Sequence, residues 1–249
     1  MMPPIFSPLI AAAVLCLAAS GLRAEVSLQK NNTVLFYGNS MIERLTEQGE
    51  LESLIQLAQP EKALHFRSLA WTGDEVGYRL RPEGYEGHLK SLLKEWPAQL
   101  VIVGFGMNEA FNGAAGLTDF RAQYSGYLEQ LARLHPGTQL VLLAPTAVET
   151  GGQGPDAAAR NQDVAQYAQT IRDLAKARGA EFVDLFAASQ EAYAKSEPPL
   201  TSNGLHLNDA GNRAMARVIA QALLGNAALS GVDPARVPEV AKAVERKNY

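Results

Sequence analysis

A handful of residues stand where their types and spacing could do chemistry. Ser40 follows a β-branched and aromatic run, residues 33–37 (TVLFY), and the pair Gly38-Asn39. It precedes a stretch with helical apolar spacing. A serine at such a junction lies among the free N–H groups of a helix N-terminus, where an oxyanion would be stabilised. Its ordinary alternative is structural, because Ser40-Met41-Ile42-Glu43 has the S-x-x-E form of a capping box. The elbow G-x-S-x-G is not formed, since Ile42 holds the second Gly position. Gly73, in a loop with Trp71, Thr72 and Asp74, is either a plain turn residue or a bare backbone N–H offered to a ligand. Asn108 follows Gly104-Phe105-Gly106-Met107 and is either a turn residue or an amide donor to an oxyanion. Of the four histidines, His65 falls in an expected strand, His88 in a helix and His135 at a helix end before Pro136. His206 is the one in a loop, Asn203-Gly204-Leu205-His206-Leu207-Asn208, just before a helix that Asn208 can cap.

The elements that must position these residues alternate. Strands are expected at 33–37, 64–69, 100–105, 139–144 and 181–185. Helices are expected at 40–59 (interrupted at Gly49), 85–96, 117–134, 157–178 and 209–224. The strands lack polar alternation, which is the mark of burial on both faces. The pattern predicts an α/β fold, a three-layer αβα sandwich around a five-stranded parallel sheet. In such sheets ligands bind beyond the carboxyl ends of the strands, and Ser40, Gly73, Asn108 and His206 all follow strands. The Gly-rich segment 149–155 is expected to be an exposed loop. Residues 226–249 are expected to be a charged tail forming a surface helix.

Composition narrows the function. With 249 residues, 47 % hydrophobic and 19 % charged, the chain has ordinary globular composition. A net charge of −4 without a basic stripe argues against nucleic acid as a partner. Residues 10–19 (IAAAVLCLAA) form an apolar run too short to span a bilayer. Small residues follow at Ser20, Gly21 and Ala24. Residues 1–24 therefore read as a signal peptide cut before Glu25, with a cut after Ser20 as the alternative. The protein is expected to be secreted or periplasmic, with no stable membrane anchor. Cleavage would remove Cys16, the single cysteine, and with it any thiol chemistry or disulfide.

The ordered blocks make the chain similar to the SGNH hydrolase superfamily, the GDSL-like esterases and lipases. Gly38-Asn39-Ser40 matches the G-D-S block and Gly73 the second-block glycine. Gly106-Met107-Asn108-Glu109 matches G-x-N-D, and Asn203-Gly204-Leu205-His206 matches D-x-x-H. The likeness runs from residue 33 to about 224. The stretches around Trp71 and 79–85 also resemble SGNH modules of secreted bacterial proteins. The resemblance implies a flavodoxin-like fold, Ser40 as nucleophile and His206 as general base. It also implies an oxyanion hole from Ser40 N–H, Gly73 N–H and Asn108. No metal and no organic cofactor is implied. The expected unit is an SGNH domain over residues 25–225.

The departure that matters is Asn203, which stands where the family has the triad Asp. An amide carries no charge to stabilise an imidazolium, and the corresponding change in a serine protease costs roughly 10⁴ in turnover. Four accounts are open. They are a Ser–His dyad using the Asn203 carbonyl, a carboxylate borrowed from Asp74, Glu109 or Asp209, deamidation at Asn203-Gly204, and a dead site. The sequence-based reading is a secreted serine esterase acting on a small ester, such as an O-acetyl group on carbohydrate. The alternative is a catalytically impaired carbohydrate- or ester-binding module. A flavin or nucleotide site is disfavoured, because Gly38-Asn39-Ser40-Met41 lacks the residues of a phosphate-cradling loop.

Overall fold

A computed structural model describes residues 26–151 and 156–248. The expected signal segment, 1–24, lies outside the described residues. Five parallel strands run in the order β2-β1-β3-β4-β5. They are β1 (Thr33–Gly38), β2 (His65–Ser68), β3 (Leu100–Gly104), β4 (Gln139–Leu143) and β5 (Glu181–Val183). Central β1 and β3 are buried along their whole length. This explains their unbroken apolar sequence, as helices cover both faces.

The helices are α1 (Ser40–Glu47), α2 (Glu50–Ala58), α3 (Tyr85–Glu95), α4 (Leu117–Leu134), α5 (Ala157–Arg178), α6 (Leu185–Lys195), α7 (Asp209–Ser230) and α8 (Val237–Asn248). One layer packs on the sheet through Ile42, Leu51, Ile55, Met215 and Ile219. The other does so through Phe120, Tyr124, Leu128, Tyr167 and Ile171. This is the three-layer α/β fold with a flavodoxin-like strand order. The order reverses between β1 and β3, which opens a crevice above those two strand ends.

Several details depart from the sequence-based expectation. The helical stretch 40–59 is two helices, broken where Gly49 adopts φ +71°. A Cβ there would lie 2.8 Å from Val244 Cβ. The fifth strand stops at Val183 rather than 185, because the Asp184 side chain accepts the Ala187 N–H and starts α6. Segment 149–155 is not uniformly exposed: Glu149 is buried, while Thr150 and Gly151 are exposed. Helix α8 is amphipathic. Val237, Ala241 and Val244 are buried, and Lys247 reaches Glu52 of α2 at 2.6 Å. His135 is buried, with Nε2 3.0 Å from the Tyr37 hydroxyl. Burial holds its pKa below the usual value, as it must for a neutral core imidazole. No helix among the described residues is long and apolar enough to cross a membrane.

Candidate active site

Ser40 is placed by glycines. Gly38 and Gly104 are register partners at the ends of β1 and β3. A Cβ on Gly38 would lie 2.4 Å from the Gly104 carbonyl oxygen, and one on Gly104 would lie 2.6 Å from Ile42 Cδ1. Only hydrogens at both positions let Ile42 of α1 sit down on the sheet, and this fixes the start of the helix above the crevice. The cap of α1 is Asn39, whose Oδ1 accepts the Met41 N–H at 3.1 Å. Ser40 therefore does not form the capping box that its sequence allows, and Glu43 instead accepts from the Thr72 hydroxyl. Ser40 is half-buried, and its hydroxyl is spared from capping.

The second loop is tied to the first, because Trp71 N–H donates to the Gly38 carbonyl at 3.0 Å. Asp74 N–H donates to the Trp71 carbonyl at 3.1 Å, closing a turn in which Gly73 takes φ +83°. That left-handed angle, rather than crowding, is what asks for glycine there, since no atom lies within 4 Å of a built Cβ. Asn108 Nδ2 donates to the Asp74 carbonyl at 3.2 Å, so the third loop is held against the second. Behind it, buried Glu109 accepts the Val76 N–H and the Gly106 N–H, each at 2.8 Å. Burial pushes the Glu109 carboxyl upward in pKa, and these two backbone donors oppose the shift.

The fourth loop hangs on Glu149. This buried carboxylate accepts the backbone N–H groups of Leu200 (2.9 Å) and Thr201 (2.8 Å) and the Thr201 hydroxyl (2.5 Å). Nothing in the sequence singled it out, as an isolated Glu after a strand carries no motif. Within the loop, Asn203 Oδ1 accepts the Leu205 N–H at 3.1 Å and the His206 N–H at 2.9 Å. His206 Nδ1 lies 3.0 Å from Asn203 Nδ2 and 3.2 Å from Asn203 Oδ1. Burial lowers the His206 pKa, and the charge of Arg44 adds to that effect.

Ser40, Asn108 and His206 line one cavity of about 70 Å³. Its remaining wall is mainly apolar and includes Met41, Phe105, Met107, Phe111 and Leu205. Gly73 is not among the lining residues. It stands one residue from the Asp74 carbonyl that holds Asn108. Among the described residues Ser40 and His206 form no direct hydrogen bond. Such bonds in unliganded sites are often long and tighten with substrate.

None of the carboxylates considered as a substitute for the missing triad acid reaches His206. Asp74 is bound by Arg81, Glu109 by the two backbone N–H groups, and Asp209 accepts from Gln48 Nε2 at 2.9 Å. Deamidation is also hindered. The Gly204 nitrogen, which would have to attack the Asn203 side chain, is buried and donates to Thr201 Oγ1 at 3.0 Å.

A parallel α/β sheet with a hydroxyl, an amide and an imidazole lining one mainly apolar cavity carries the groups that ester hydrolysis needs. The chain belongs to the GDSL-like Lipase/Acylhydrolase family, which it matches over residues 36–214. Solved structures agree on the fold. A Parabacteroides merdae protein described as a GDSL-like lipase superposes with a TM-score of 0.64 at 15 % identity, covering 80 % of this chain and 98 % of that one. A catalytic mutant of Axe2, an acetylxylan esterase from Geobacillus stearothermophilus, superposes at 0.61 and 16 % identity, with coverage of 79 % and 96 %. LAE5, an alpha/beta hydrolase from the metagenome of Lake Arreo, Spain, superposes at 0.61 and 16 %, with coverage of 83 % and 98 %. No curated protein matches the sequence.

Proposed function

We propose that the protein is an exported serine esterase that hydrolyses a small ester, with O-acetyl groups on carbohydrate as its substrates. The observation that carries this reading is the shared cavity of Ser40, Asn108 and His206. In the proposed route Ser40 Oγ attacks the ester carbonyl carbon while His206 takes the hydroxyl proton. The carbon–alkoxide bond breaks, and His206 passes that proton to the departing alkoxide. Water then adds to the acyl-enzyme as His206 takes its proton, the acyl–Oγ bond breaks, and His206 returns that proton to Ser40 Oγ, releasing the acid. Asn108 Nδ2, Ser40 N–H and Gly73 N–H are the oxyanion donors in this reading. One such donor contributes roughly 3 kcal/mol.

The cavity volume supports a short acyl group. The cavity is small, about 70 Å³, and its wall is mainly apolar, which suits an acyl group as short as acetyl. The same fold carries acetyl ester hydrolysis in the acetylxylan esterase named above. Export rests on the pattern of residues 1–24.

A second reading is a binding module of the same fold, favoured by the uncharged Asn203 against His206. The two separate by covalent labelling. An alkyl phosphonate fluoride should add its phosphonyl mass to Ser40 in the wild type and not in Ser40→Ala. A wild-type protein that stays unlabelled would establish the binding module instead.

A further inference from the structure

Among the described residues no carboxylate lines the cavity that holds Ser40 and His206. Arg44 follows Ser40 by one helical turn on α1, the spacing that puts two side chains on one helix face. It is exposed and joins no ion pair among the described residues. Its charge is felt at His206. Neither Arg44 nor Arg160 lines the cavity itself, but the guanidinium of Arg160 lies 4.7 Å from the ring centroid of the lining residue Phe111 and has no carboxylate partner among the described residues. Acids on the flanking loops and helices are engaged elsewhere: Glu43 with Thr72, Asp209 with Gln48, Asp74 with Arg81. Glu47, three residues after Arg44, is exposed and forms no ion pair with it.

A cation beside a catalytic imidazole opposes the imidazolium that forms as the serine proton is taken. A triad carboxylate would offset that opposition, whereas the Asn203 amide carries no charge. The negative charge absent from the protein can be brought by the ligand. We propose that the ester this site takes is anionic on its alcohol half, bearing a carboxylate or sulfate that pairs with Arg44. This rests on the ester-hydrolysis reading above. The bound anion does two things. It anchors the sugar by a charge-assisted contact, and it neutralises Arg44 while His206 becomes charged. The substrate thereby supplies part of what Asn203 cannot.

The test compares kcat/KM for three mono-O-acetylated methyl glycosides: a glucuronide, a glucoside 6-sulfate and the neutral glucoside. The wild type should favour at least one anionic ester by about tenfold, the scale of one charge-assisted contact. Which of the two is favoured identifies the anion. The preference should fall toward parity in Arg44→Gln, persist in Arg44→Lys, and shrink in the wild type as ionic strength rises. Equal kcat/KM for all three esters, with hydrolysis still dependent on Ser40, would overturn this proposal and leave the esterase reading standing. A preference that survives Arg44→Gln would also overturn it. Hydrolysis no faster than that of Ser40→Ala would remove both readings together.

Discussion

The side-chain oxygen of Asn203 accepts the backbone N–H of His206 at 2.9 Å, and this contact limits what the amide can offer the imidazole. The same oxygen also accepts the Leu205 N–H at 3.1 Å. With Oδ1 turned to the backbone, Nδ2 presents a hydrogen to Nδ1 at 3.0 Å. An accepting Nδ1 leaves the ring proton on Nε2, the nitrogen that must be bare to take the serine proton. The competing arrangement, Nδ1–H donating to Oδ1, has a separation of 3.2 Å and asks one oxygen to serve three donors. An aspartate here would keep both backbone contacts and add a charged acceptor for Nδ1–H. The loop geometry of a triad is thus retained, while its charge is not.

Asn203→Asp should therefore raise kcat/KM for neutral esters. The reverse change in a serine protease costs roughly 10⁴, so the gain is expected between about 10-fold and 10⁴-fold. Steady-state hydrolysis of p-nitrophenyl acetate measures it. A variant no faster than wild type would show that the amide does not limit the rate.

The pH profile follows from the same imidazole. Burial and Arg44 both disfavour its charged form, so His206 stays neutral to a lower pH than an ordinary histidine. The acid limb of kcat/KM should fall below pH 6.5. Arg44→Gln removes one of these pushes and Asn203→Asp adds an opposing charge, so each should move the limb upward. A wild-type limb at or above 6.5 would contradict the lowering of the His206 pKa by burial and Arg44.

Asn108→Ala should lower kcat by about 10²–10³ with little change in KM, as expected for a donor that acts on the transition state. Among the described residues its side chain makes a single neutral hydrogen bond, to the Asp74 carbonyl, so the accompanying loss of stability should stay near 1 kcal/mol. A proportional rise in KM with kcat unchanged would point to substrate positioning instead.

Glu109→Gln should destabilise the fold by about 1–3 kcal/mol in urea unfolding, because a Gln amide cannot accept from both Val76 N–H and Gly106 N–H. Activity should fall with it, since Asn108 is the preceding residue. An unchanged midpoint would mean that the two backbone donors find other partners.

The sequence disclosed the layers because the buried parallel strands are apolar without alternation, as residues 100–104 show. It disclosed the ends of those strands, and hence where Ser40, Asn108 and His206 would meet, through glycines and turn residues. Less legible was whatever depends on tertiary partners. The choice of Asn39 over Ser40 as cap is decided by how Ile42 seats on Gly38 and Gly104. The role of Glu149 exists only once residues 200–201 fold back over it. The helix at Leu185–Lys195 depends on Asp184, which in sequence reads as the continuation of a strand. That Arg44 has no ion-pair partner among the described residues depends on tertiary neighbours, which no local pattern carries.

The central claim, that Ser40 is the nucleophile of an esterase, is met most directly by p-nitrophenyl acetate hydrolysis by the wild type beside Ser40→Ala. The account predicts a wild-type rate well above the variant, which should fall to the level of buffer and protein background. Equal rates in the two proteins would contradict it.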